Sequence, residues 1–276
     1  MRVASFNLFS GRALAGGIVE AARVRSAVAA LDADVVGLQE VDRAQSRSQG
    51  LDLTALAAQA LGVGTQGWRF APALIGTPGQ TWVAAADGQQ VDAAAPAYGV
   101  GLVSRLPVRE WRVIRLPSAP VRSPVLVPSQ RRPGRPRAVW LPDEPRVGLV
   151  AVVDAPGVGL MTVATTHLSF VPAWNLLQLR RLVRVLERLP HPVLLLGDLN
   201  IPGGLPRLAA PRWLSLARTK TWPAPQPRVQ FDHLLAHGQG LPPVTRVQAL
   251  ELAVSDHRAL VVDLGEAAGG PALTSE

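Results

Sequence analysis

Short apolar runs that end in a polar side chain constrain the fold of this chain more than any other feature of its sequence. In the clearest case the run 192–197 ends in Gly197, and Asp198, Leu199 and Asn200 follow directly. Such a run predicts a buried strand that delivers a carboxylate and a carboxamide to the rim of a sheet. An ordinary turn is the alternative interpretation, because Asp and Asn are common turn residues.

Polar residues also stand at the ends of other predicted strands. They are Asn7, Glu40, His167 and the pair formed by Asp256 and His257. We expect these side chains to converge from distant parts of the sequence in one acidic cleft that can hold a cation.

The composition of the chain excludes several classes of protein and several kinds of active site. At 276 residues the chain suits one large domain or two small ones, and it can bury a sizeable core. Hydrophobic residues make up 48% of it and charged residues 17%, which excludes a disordered charged chain. It has no cysteine, which excludes disulfides, zinc–thiolate sites and thiol nucleophiles. Any metal must be held by carboxylate, amide or imidazole groups or by water.

The sequence shows no signal for secretion or for membrane insertion. No basic segment and long apolar core precede a cleavage site near its start, and no apolar run approaches the ~20 residues of a membrane span. We therefore expect a cytoplasmic, soluble protein without a transmembrane segment, and we expect a monomer.

The basic residues are unevenly distributed. The net charge is +8, and Lys220 is the only lysine among 28 basic residues. Ten arginines but only three acidic residues lie within residues 105–146. A GC-rich genome, which favours arginine whatever the function, is the simple explanation. A local basic field would also favour phosphate-bearing partners, without saying which.

Periodicity predicts a mixed chain in which strands outnumber helices. Helices are predicted over residues 20–31, 51–61 and 174–189, where apolar residues recur at helical spacing. Strands are predicted over residues 3–7, 34–39, 67–74, 81–86, 98–104, 108–116, 147–153, 159–166, 193–197, 230–236, 244–251 and 259–264. These elements fit a core of two mixed sheets with outer helices.

No linker divides the chain, so a single domain over residues 1–265 is expected, followed by a frayed tail over residues 266–276. Residues 117–136 contain six prolines and show no clear periodicity. They are predicted to form a long loop, which is either functional or a solvated connector.

Seven short motifs occur in a fixed order along the chain. They are Ser5-Phe-Asn7, Leu38-Gln-Glu40, Gly99-Val-Gly-Leu-Val-Ser-Arg105, Thr166-His-Leu168, Gly197-Asp-Leu-Asn200, Phe231-Asp-His233 and Ser255-Asp-His257. Together they resemble the endonuclease/exonuclease/phosphatase superfamily, which includes deoxyribonucleases, sphingomyelinases and inositol-polyphosphate phosphatases. The resemblance implies an α/β (α+β) fold, a four-layered α/β sandwich of two packed mixed β-sheets flanked by helices. It also implies a metal-dependent hydrolase of phosphate esters that uses Mg²⁺, for which Mn²⁺ can substitute.

Three residues are candidates for the metal site. Glu40 follows the apolar run 35–38, so its carboxylate should reach the sheet rim, and an exposed Glu without a role is the alternative. Asp256 should point away from His257 if the backbone is extended, which suits a metal ligand. Asn7 would orient the metal's water or the phosphate through its amide, and a turn Asn is the alternative. Mg²⁺ prefers such oxygen ligands.

The resemblance also implies the catalytic residues. Asp198 would activate or orient the attacking water, and Asn200 would hold a phosphoryl oxygen or steady the nucleophile. His257 would donate a hydrogen bond to the scissile phosphate. Asp232 would be the acidic partner of His257 and would favour its charged form. His167 would be a second imidazole facing the phosphate.

His167 has no obvious acidic partner, although deoxyribonuclease-like members supply one. Glu110 and Asp87 are candidates by elimination only. Where abasic-site endonucleases carry an acid and a tyrosine, this chain has Phe9 and His167. It therefore looks closer to the branch that contains deoxyribonucleases, sphingomyelinases and phosphoinositide phosphatases. The remaining histidines are predicted not to be ligands, and these are His191, His233 and His237.

Two arginines and a tryptophan are candidates for substrate binding. Arg43 and Arg105 would contact phosphate bidentately, or serve as surface ion-pair partners. Trp222 would stack on a base or a lipid, or pack in the protein, which is the more frequent role.

The leading hypothesis is a Mg²⁺-dependent endo- or exonuclease that hydrolyses the phosphodiester bonds of nucleic acid. A lipid or small-molecule phosphoesterase, sphingomyelinase-like or inositol-phosphate phosphatase-like, is the alternative. A non-catalytic nucleic-acid-binding module is the third hypothesis.

Overall fold

The computed structural model describes residues 1–89, 91–128 and 136–265, which form three α-helices and fifteen strands. The helices are α1 (Ala21–Ala29), α2 (Leu53–Ala60) and α3 (Trp174–Leu186). The strands are β1 (Arg2–Asn7), β2 (Val35–Arg43), β3 (Trp68–Gly76), β4 (Trp82–Ala84), β5 (Ala97–Ser104), β6 (Val108–Leu116), β7 (Arg122–Pro128), β8 (Pro136–Pro142), β9 (Arg146–Ala155), β10 (Gly159–His167), β11 (Val193–Asp198), β12 (Leu214–Ser215), β13 (Asp232–His237), β14 (Val244–Leu250) and β15 (Ala259–Leu264). None of the helices in these residues has the length and apolar character needed to cross a membrane.

Thirteen of the strands form two mixed sheets. The seven-stranded sheet has the order β14-β15-β1-β2-β5-β3-β4, and the six-stranded sheet has the order β12-β13-β11-β10-β9-β6. Each sheet contains one parallel pair, β1 with β2 and β10 with β11, among antiparallel neighbours. The sheets are therefore mixed, as the sequence predicts.

The two sheets pack against each other over a shared apolar core, and helices cover both outer faces. Alternation along the strands sorts the side chains, so that Val35 faces the shared core while Val36 faces α1 and α2. On the other side of the sandwich, Leu179 and Leu182 of α3 pack on the six-stranded sheet. These four layers confirm the predicted α/β sandwich.

The strand registers bring the polar strand ends to one edge of the sandwich. Asn7 ends β1 opposite Gln39 of β2, and His167 ends β10 opposite Asp198 of β11. On β13, which runs antiparallel to β11, Asp232 lies opposite Asp198. Because parallel strands end at the same edge and their antiparallel neighbours begin there, residues far apart in the sequence meet at this edge.

A glycine lets the two sheets approach each other closely below this edge. A Cβ atom on Gly37 of β2 would lie 2.7 Å from Thr165 Oγ1 of β10. The same hydroxyl accepts a hydrogen bond from Gln39 Nε2 at 2.9 Å. An alanine at position 37 would therefore push the sheets apart beside the polar residues.

The prediction of a long loop over residues 117–136 is wrong. Strands β7 and β8 pair antiparallel there, with Arg122 opposite Pro142 and Pro128 opposite Pro136. Proline is tolerated in such a ribbon because each of its strands has an unpaired edge. Residues 129–135 and the predicted tail at residues 266–276 lie outside the described residues.

Glu40 is not the strand end that the sequence predicts. Strand β2 continues to Arg43, and its pairing with β5 is irregular between Leu38 and Val41. Glu40 lies within this bulge with a φ of 50°. A bulge redirects a side chain without ending the strand, and here it directs the carboxylate of Glu40 toward Asn7.

Candidate active site

Asn7 links the two sheets at the polar edge through its side-chain amide. Its Nδ2 donates to Glu40 Oε1 at 3.2 Å and to Asp198 Oδ2 at 3.0 Å. Its Oδ1 accepts from the backbone N–H of Phe9 at 2.9 Å, which fixes the orientation of the amide. The geometry thus gives Asn7 a positioning contact with one carboxylate from each sheet, and its part in the metal site stays a prediction.

Asp198 is buried at the centre of the cleft. Its Oδ1 accepts from the backbone N–H of Asn200 at 3.0 Å. Its Oδ2 lies 3.6 Å from His167 Nε2 and 3.7 Å from His257 Nε2. Burial raises the pKa of Asp198 to about 7, although the positive charge of His257 acts in the opposite direction. A carboxylate that titrates near neutral pH is well suited to accept a proton from water.

Asn200 holds His167 in a defined protonation state. Its backbone has a φ of 52°, in the left-handed region that Asn tolerates better than most residues. Its Nδ2 lies 3.0 Å from the carbonyl oxygen of Leu168 and 3.1 Å from His167 Nε2. Because the carbonyl can only accept, the amide nitrogen must be the group placed there, and His167 Nε2 accepts a hydrogen bond from it. His167 is then neutral, with its proton on Nδ1.

The electrostatics of His167 agree with a neutral imidazole. Burial, followed by the positive charge of Arg146, lowers the pKa of His167 well below its ordinary value. The carboxylate in contact with it is that of Asp198. The two candidates chosen by elimination are wrong, because Glu110 binds Arg112 and Asp87 binds Arg115.

His257 has the opposite character. Its Nδ1 lies 2.8 Å from Asp232 Oδ2, the pairing that the sequence predicts. Burial by itself lowers the pKa of His257, but the carboxylates of Asp232 and Asp198 raise it to about 10. Its backbone N–H donates to Ser255 Oγ at 3.0 Å, and that hydroxyl donates to the carbonyl of Asn7 at 2.6 Å. His257 is therefore a fixed imidazolium whose Nε2–H points into the cleft.

Glu40, on β2, and Asp256, just before β15, are two carboxylates whose negative charges repel each other. Burial and then the negative charge of Asp256 raise the pKa of Glu40. Asp256 Oδ2 accepts from Trp222 Nε1 at 3.2 Å, whereas its Oδ1 is buried without a partner among the described residues. Two repelling carboxylates with an unpaired buried oxygen fit a hard divalent cation such as Mg²⁺ or Mn²⁺.

A second group of possible ligands consists of Asp198, Asp232 and His257, whose ligand atoms all lie within 4.8 Å of one another. His257 Nδ1 already binds Asp232, and Asp198 Oδ2 already accepts from Asn7. A charged imidazole in this group would also repel a cation. Glu40 and Asp256 are therefore the better candidates for the metal site.

The candidate substrate-binding residues do not all reach this edge. Arg105 lies at the opposite end of β5, where it binds Asp32 Oδ1 at 2.9 Å, so its alternative role as an ion-pair partner is the correct one. The guanidinium of Arg43 lies over the ring of Phe70, 4.9 Å from its centroid. Trp222 does reach the edge, through its hydrogen bond to Asp256.

The remaining histidines make other contacts, and their place outside the ligand set stays a prediction. His233 Nε2 donates to the carbonyl of Ile201 at 2.8 Å, on the opposite face of β13 from Asp232. The rings of His191 and His237 pack on each other with their centroids 5.3 Å apart.

Sequence reasoning missed several supporting residues. Ser255 belongs to a quoted motif, but its bridge between Asn7 and His257 depends on a long-range register. Asn175 of α3 donates to the carbonyl of Asn200 at 2.8 Å and so supports the turn that holds His167. Nothing in the local sequence marks Asn175, since it reads as an ordinary residue in the first turn of a helix.

The arginine-rich stretch is less basic in the folded protein than in the sequence. Within the described residues, arginines of this stretch form ion pairs with carboxylates, which are Arg105–Asp32, Arg109–Asp154, Arg112–Glu110, Arg115–Asp87 and Arg146–Asp143. Several of the partners come from outside the stretch. The predicted local basic field is therefore largely compensated where the structure describes it.

Comparisons with known proteins agree with this fold. A profile of the Endonuclease/Exonuclease/phosphatase family matches residues 4–257. An endonuclease/exonuclease/phosphatase from Beutenbergia cavernae DSM 12333 has a similar structure, with a TM-score of 0.63 and 23% identity over 97% of this chain and 72% of that chain.

Two further solved structures are similar at lower identity. The mannosyl-6-phosphatase of Bacteroides thetaiotaomicron VPI-5482 has a TM-score of 0.60 and 14% identity, over 96% of this chain and 99% of that chain. Sphingomyelinase C from Streptomyces griseocarneus has a TM-score of 0.56 and 15% identity, over 95% and 98% of the two chains. At these identities the likeness shows a shared fold. No curated protein sequence matches the chain.

Proposed function

The chain belongs to the endonuclease/exonuclease/phosphatase family, whose members hydrolyse phosphate esters, and we propose that this member cleaves the phosphodiester bonds of nucleic acid with the help of Mg²⁺. The observation that carries the proposal is the position of Asp198. This carboxylate lies between a charged and a neutral histidine, and Asn7 connects it to Glu40.

Such a reaction must overcome repulsion, because the oxygens of a phosphodiester carry negative charge that opposes a nucleophile. The imidazolium of His257 can donate from Nε2 to a non-bridging phosphate oxygen, since Asp232 already binds its Nδ1. A divalent cation held by Glu40 and Asp256 would supply further neutralisation of phosphate charge.

In this proposal Asp198 handles the proton of the attacking water. As the water oxygen forms its bond to phosphorus, its proton passes to a carboxylate oxygen of Asp198, and the bond from phosphorus to the leaving oxygen breaks. The leaving oxygen then takes a proton from solvent. The pKa of about 7 that burial gives Asp198 suits this role, because such a base is partly ionised near neutral pH.

His167 has a different task in this proposal. Its Nε2 accepts a hydrogen bond from Asn200, so in this arrangement that nitrogen has no proton to give to a leaving group. Its proton would then be on Nδ1, and this N–H is the atom by which His167 would contact the substrate. His167 therefore binds or orients the phosphate and does not serve as the general acid.

The choice of nucleic acid rests on charge. The net charge of +8 favours a polyanion over a zwitterionic lipid. A lipid or sugar-phosphate substrate remains the alternative, because the sphingomyelinase C and the mannosyl-6-phosphatase share this fold. A non-catalytic binding module is disfavoured, since buried carboxylates such as Asp198 and Glu40 at the centre of a cleft would repel a bound phosphate chain.

A substrate panel tests the proposal. Plasmid DNA, RNA, a bis-aryl phosphate, sphingomyelin and phosphoinositides are each incubated with Mg²⁺, with Mn²⁺ and with EDTA. We expect hydrolysis of DNA or RNA and of the bis-aryl phosphate, with loss of turnover in EDTA and in Asp198→Asn. Turnover confined to sphingomyelin or phosphoinositides would refute the nucleic-acid assignment, and undiminished turnover in EDTA would refute the metal site.

A further inference from the structure

A large cavity lies on the flank of the six-stranded sheet, next to the polar edge but separate from it. It has a volume of about 1370 Å³ and is lined mainly by residues of the segment 202–230. His233 and Leu235 on β13, Ala249 on β14 and Arg258 before β15 complete its wall. The reaction described above uses none of these residues.

The charge of the lining is uniform. The charged residues in it are all basic, and they are Arg207, Arg218, Lys220, Arg228 and Arg258. Arg258 forms an ion pair with Glu251 at 2.8 Å, and the other four have no carboxylate partner within residues 1–89, 91–128 and 136–265. This contrasts with the arginine-rich stretch 105–146, where carboxylates pair with most of the described arginines. Because the wall is concave and carries charge of a single sign, the electric field of its cations is concentrated inside the cavity.

The cavity and the catalytic cleft share a wall. Asp232 binds His257 in the cleft, whereas the following residue, His233, lines the cavity. His257 itself is followed by Arg258, which lines the cavity too. Neighbouring Cα atoms are about 3.8 Å apart, so only one thickness of chain separates the two spaces. A strand of nucleic acid is long enough to reach from one to the other.

Buried hydrogen bonds hold the cavity wall in shape. His233 is 1% exposed, and its Nε2 donates to the carbonyl of Ile201. Gln230 is 8% exposed, and its Nε2 donates to the carbonyl of Ala217 at 3.0 Å. These bonds join three separate parts of the wall, so the cations extend from a fixed support.

We propose that this cavity binds phosphates of the substrate strand on one side of the scissile bond. The inference rests on the proposed function and adds to it a second binding region. Four cations without a carboxylate partner in the described part of the chain can contact several phosphates at once, which a nucleic-acid strand provides and a single diester does not. The cavity would thus favour polymeric over small substrates.

The test compares two double variants that remove equal charge. Arg218→Ala/Lys220→Ala removes two exposed cations of the cavity, and Arg180→Ala/Arg184→Ala removes two from the exposed face of α3. Both are made in an Asp198→Asn background with Mg²⁺ present. Fluorescence anisotropy then measures the Kd for a labelled single-stranded oligonucleotide, and thermal melting checks folding.

The cavity variant should bind about tenfold more weakly than its parent. The slope of log Kd against log salt should fall by about 0.7 for each lost phosphate contact. The α3 variant should change far less. Equal losses in both variants would show that only the overall charge matters, and unchanged binding in the cavity variant would show that the strand does not enter it. Either result overturns the inference.

The proposed function is judged separately in the same preparation, with the unmodified protein. If it cleaves a bis-aryl phosphate but no oligonucleotide, the nucleic-acid function fails whatever the binding data show. If it cleaves oligonucleotides while the cavity variant binds them normally, only the cavity inference fails.

Discussion

The two histidines of the cleft lie on either side of Asp198, but they come from different sheets and carry different charges. His257 precedes β15 of the seven-stranded sheet and is held as an imidazolium, with a pKa near 10, by Asp232 and Asp198. His167 ends β10 of the six-stranded sheet, where burial and Arg146 keep it neutral. The same residue type at the same edge thus becomes a cation or a neutral acceptor according to its neighbours.

The difference in charge indicates that the two histidines have different roles in catalysis. A fixed imidazolium stabilises negative charge on phosphate throughout the reaction, because its proton is not lost near neutral pH. A neutral imidazole held by an amide can orient a group but adds no net charge. The His257 side of the cleft should therefore contribute more to catalysis than the His167 side, and the following predictions test this ordering.

Asp198→Asn should have the largest effect, because Asp198 contacts both histidines and accepts the proton in the proposed reaction. We expect kcat for the bis-aryl phosphate to fall by about 10²–10⁴-fold. Folding should be retained, because burial raises the pKa of Asp198 and so disfavours its ionised form, and asparagine is neutral and of similar shape. Steady-state kinetics with Mg²⁺ and a thermal melt measure the two quantities.

The matched control for that variant is Asp154→Asn, which removes a carboxylate from a surface ion pair with Arg109. It should leave kcat unchanged within about twofold, because such pairs are weak and lie in solvent. A folded Asp198→Asn variant with ordinary turnover would show that Asp198 takes no part in the reaction. The two histidines could then not be compared through their contacts with it.

His257→Gln and His167→Gln compare the two sides directly. Loss of the imidazolium should lower kcat by about 10²–10³-fold, as expected for a removed charge-stabilising donor. Loss of the neutral histidine should cost only about tenfold, because glutamine can keep a hydrogen bond with Asn200. Equal losses of kcat in the two variants would contradict this difference in role, and a larger loss in His167→Gln would reverse the expected order.

The sequence identifies most of the residues, and through Asp232 it also predicts the charged form of His257, but it does not predict the state of His167. Asp198, Asn200 and His257 could be predicted because each stands next to a short apolar run or in a recognisable motif. The neutral state of His167 could not be predicted, since it depends on Leu168 fixing the amide of Asn200 and on Arg146 lying nearby. Such effects come from packing between strands, which local sequence does not encode.

The fold shows the same limit. Periodicity predicted strands such as β6 and β15 at their observed bounds. It missed the pairing of β7 with β8, where prolines suggested a loop, and it missed the bulge at Glu40. Bulges and short ribbons depend on partners elsewhere in the chain. The assignment of Arg105 to the site failed for a similar reason, since only the register of β5 shows which edge it occupies.

Glu40→Gln tests the metal side of the cleft, which belongs to the same sheet as His257. The variant removes one of the two carboxylates that would hold the cation. The Mg²⁺ concentration for half-maximal activity should therefore rise by about 10–100-fold. Turnover at saturating Mg²⁺ should recover in part, because Asp256 remains. Activity titrations with Mg²⁺ measure the shift. An unchanged half-maximal concentration would show that Glu40 does not hold the metal.

The smallest effect concerns stability, and it separates the two histidines by pH. The pKa of His257 rises to about 10 in the folded protein, from an ordinary value of 6.5, so its contribution to stability is full below the ordinary value. That contribution is lost as the pH rises through about 10. Melting in EDTA should therefore show His257→Gln destabilised near pH 6 and progressively closer to the unmodified protein near pH 10.

His167→Gln is the control for this pH series. A neutral His167 gains no stability from its charged form, because its pKa in the folded protein is lowered. Its variant should not show a stability deficit that disappears at alkaline pH, and each kcal/mol lost should shift Tm by only about 2–4 °C. A deficit in His257→Gln that stays constant across the range would mean that Asp232 positions the imidazole without holding its charge. The two sides of the cleft would then differ in geometry alone.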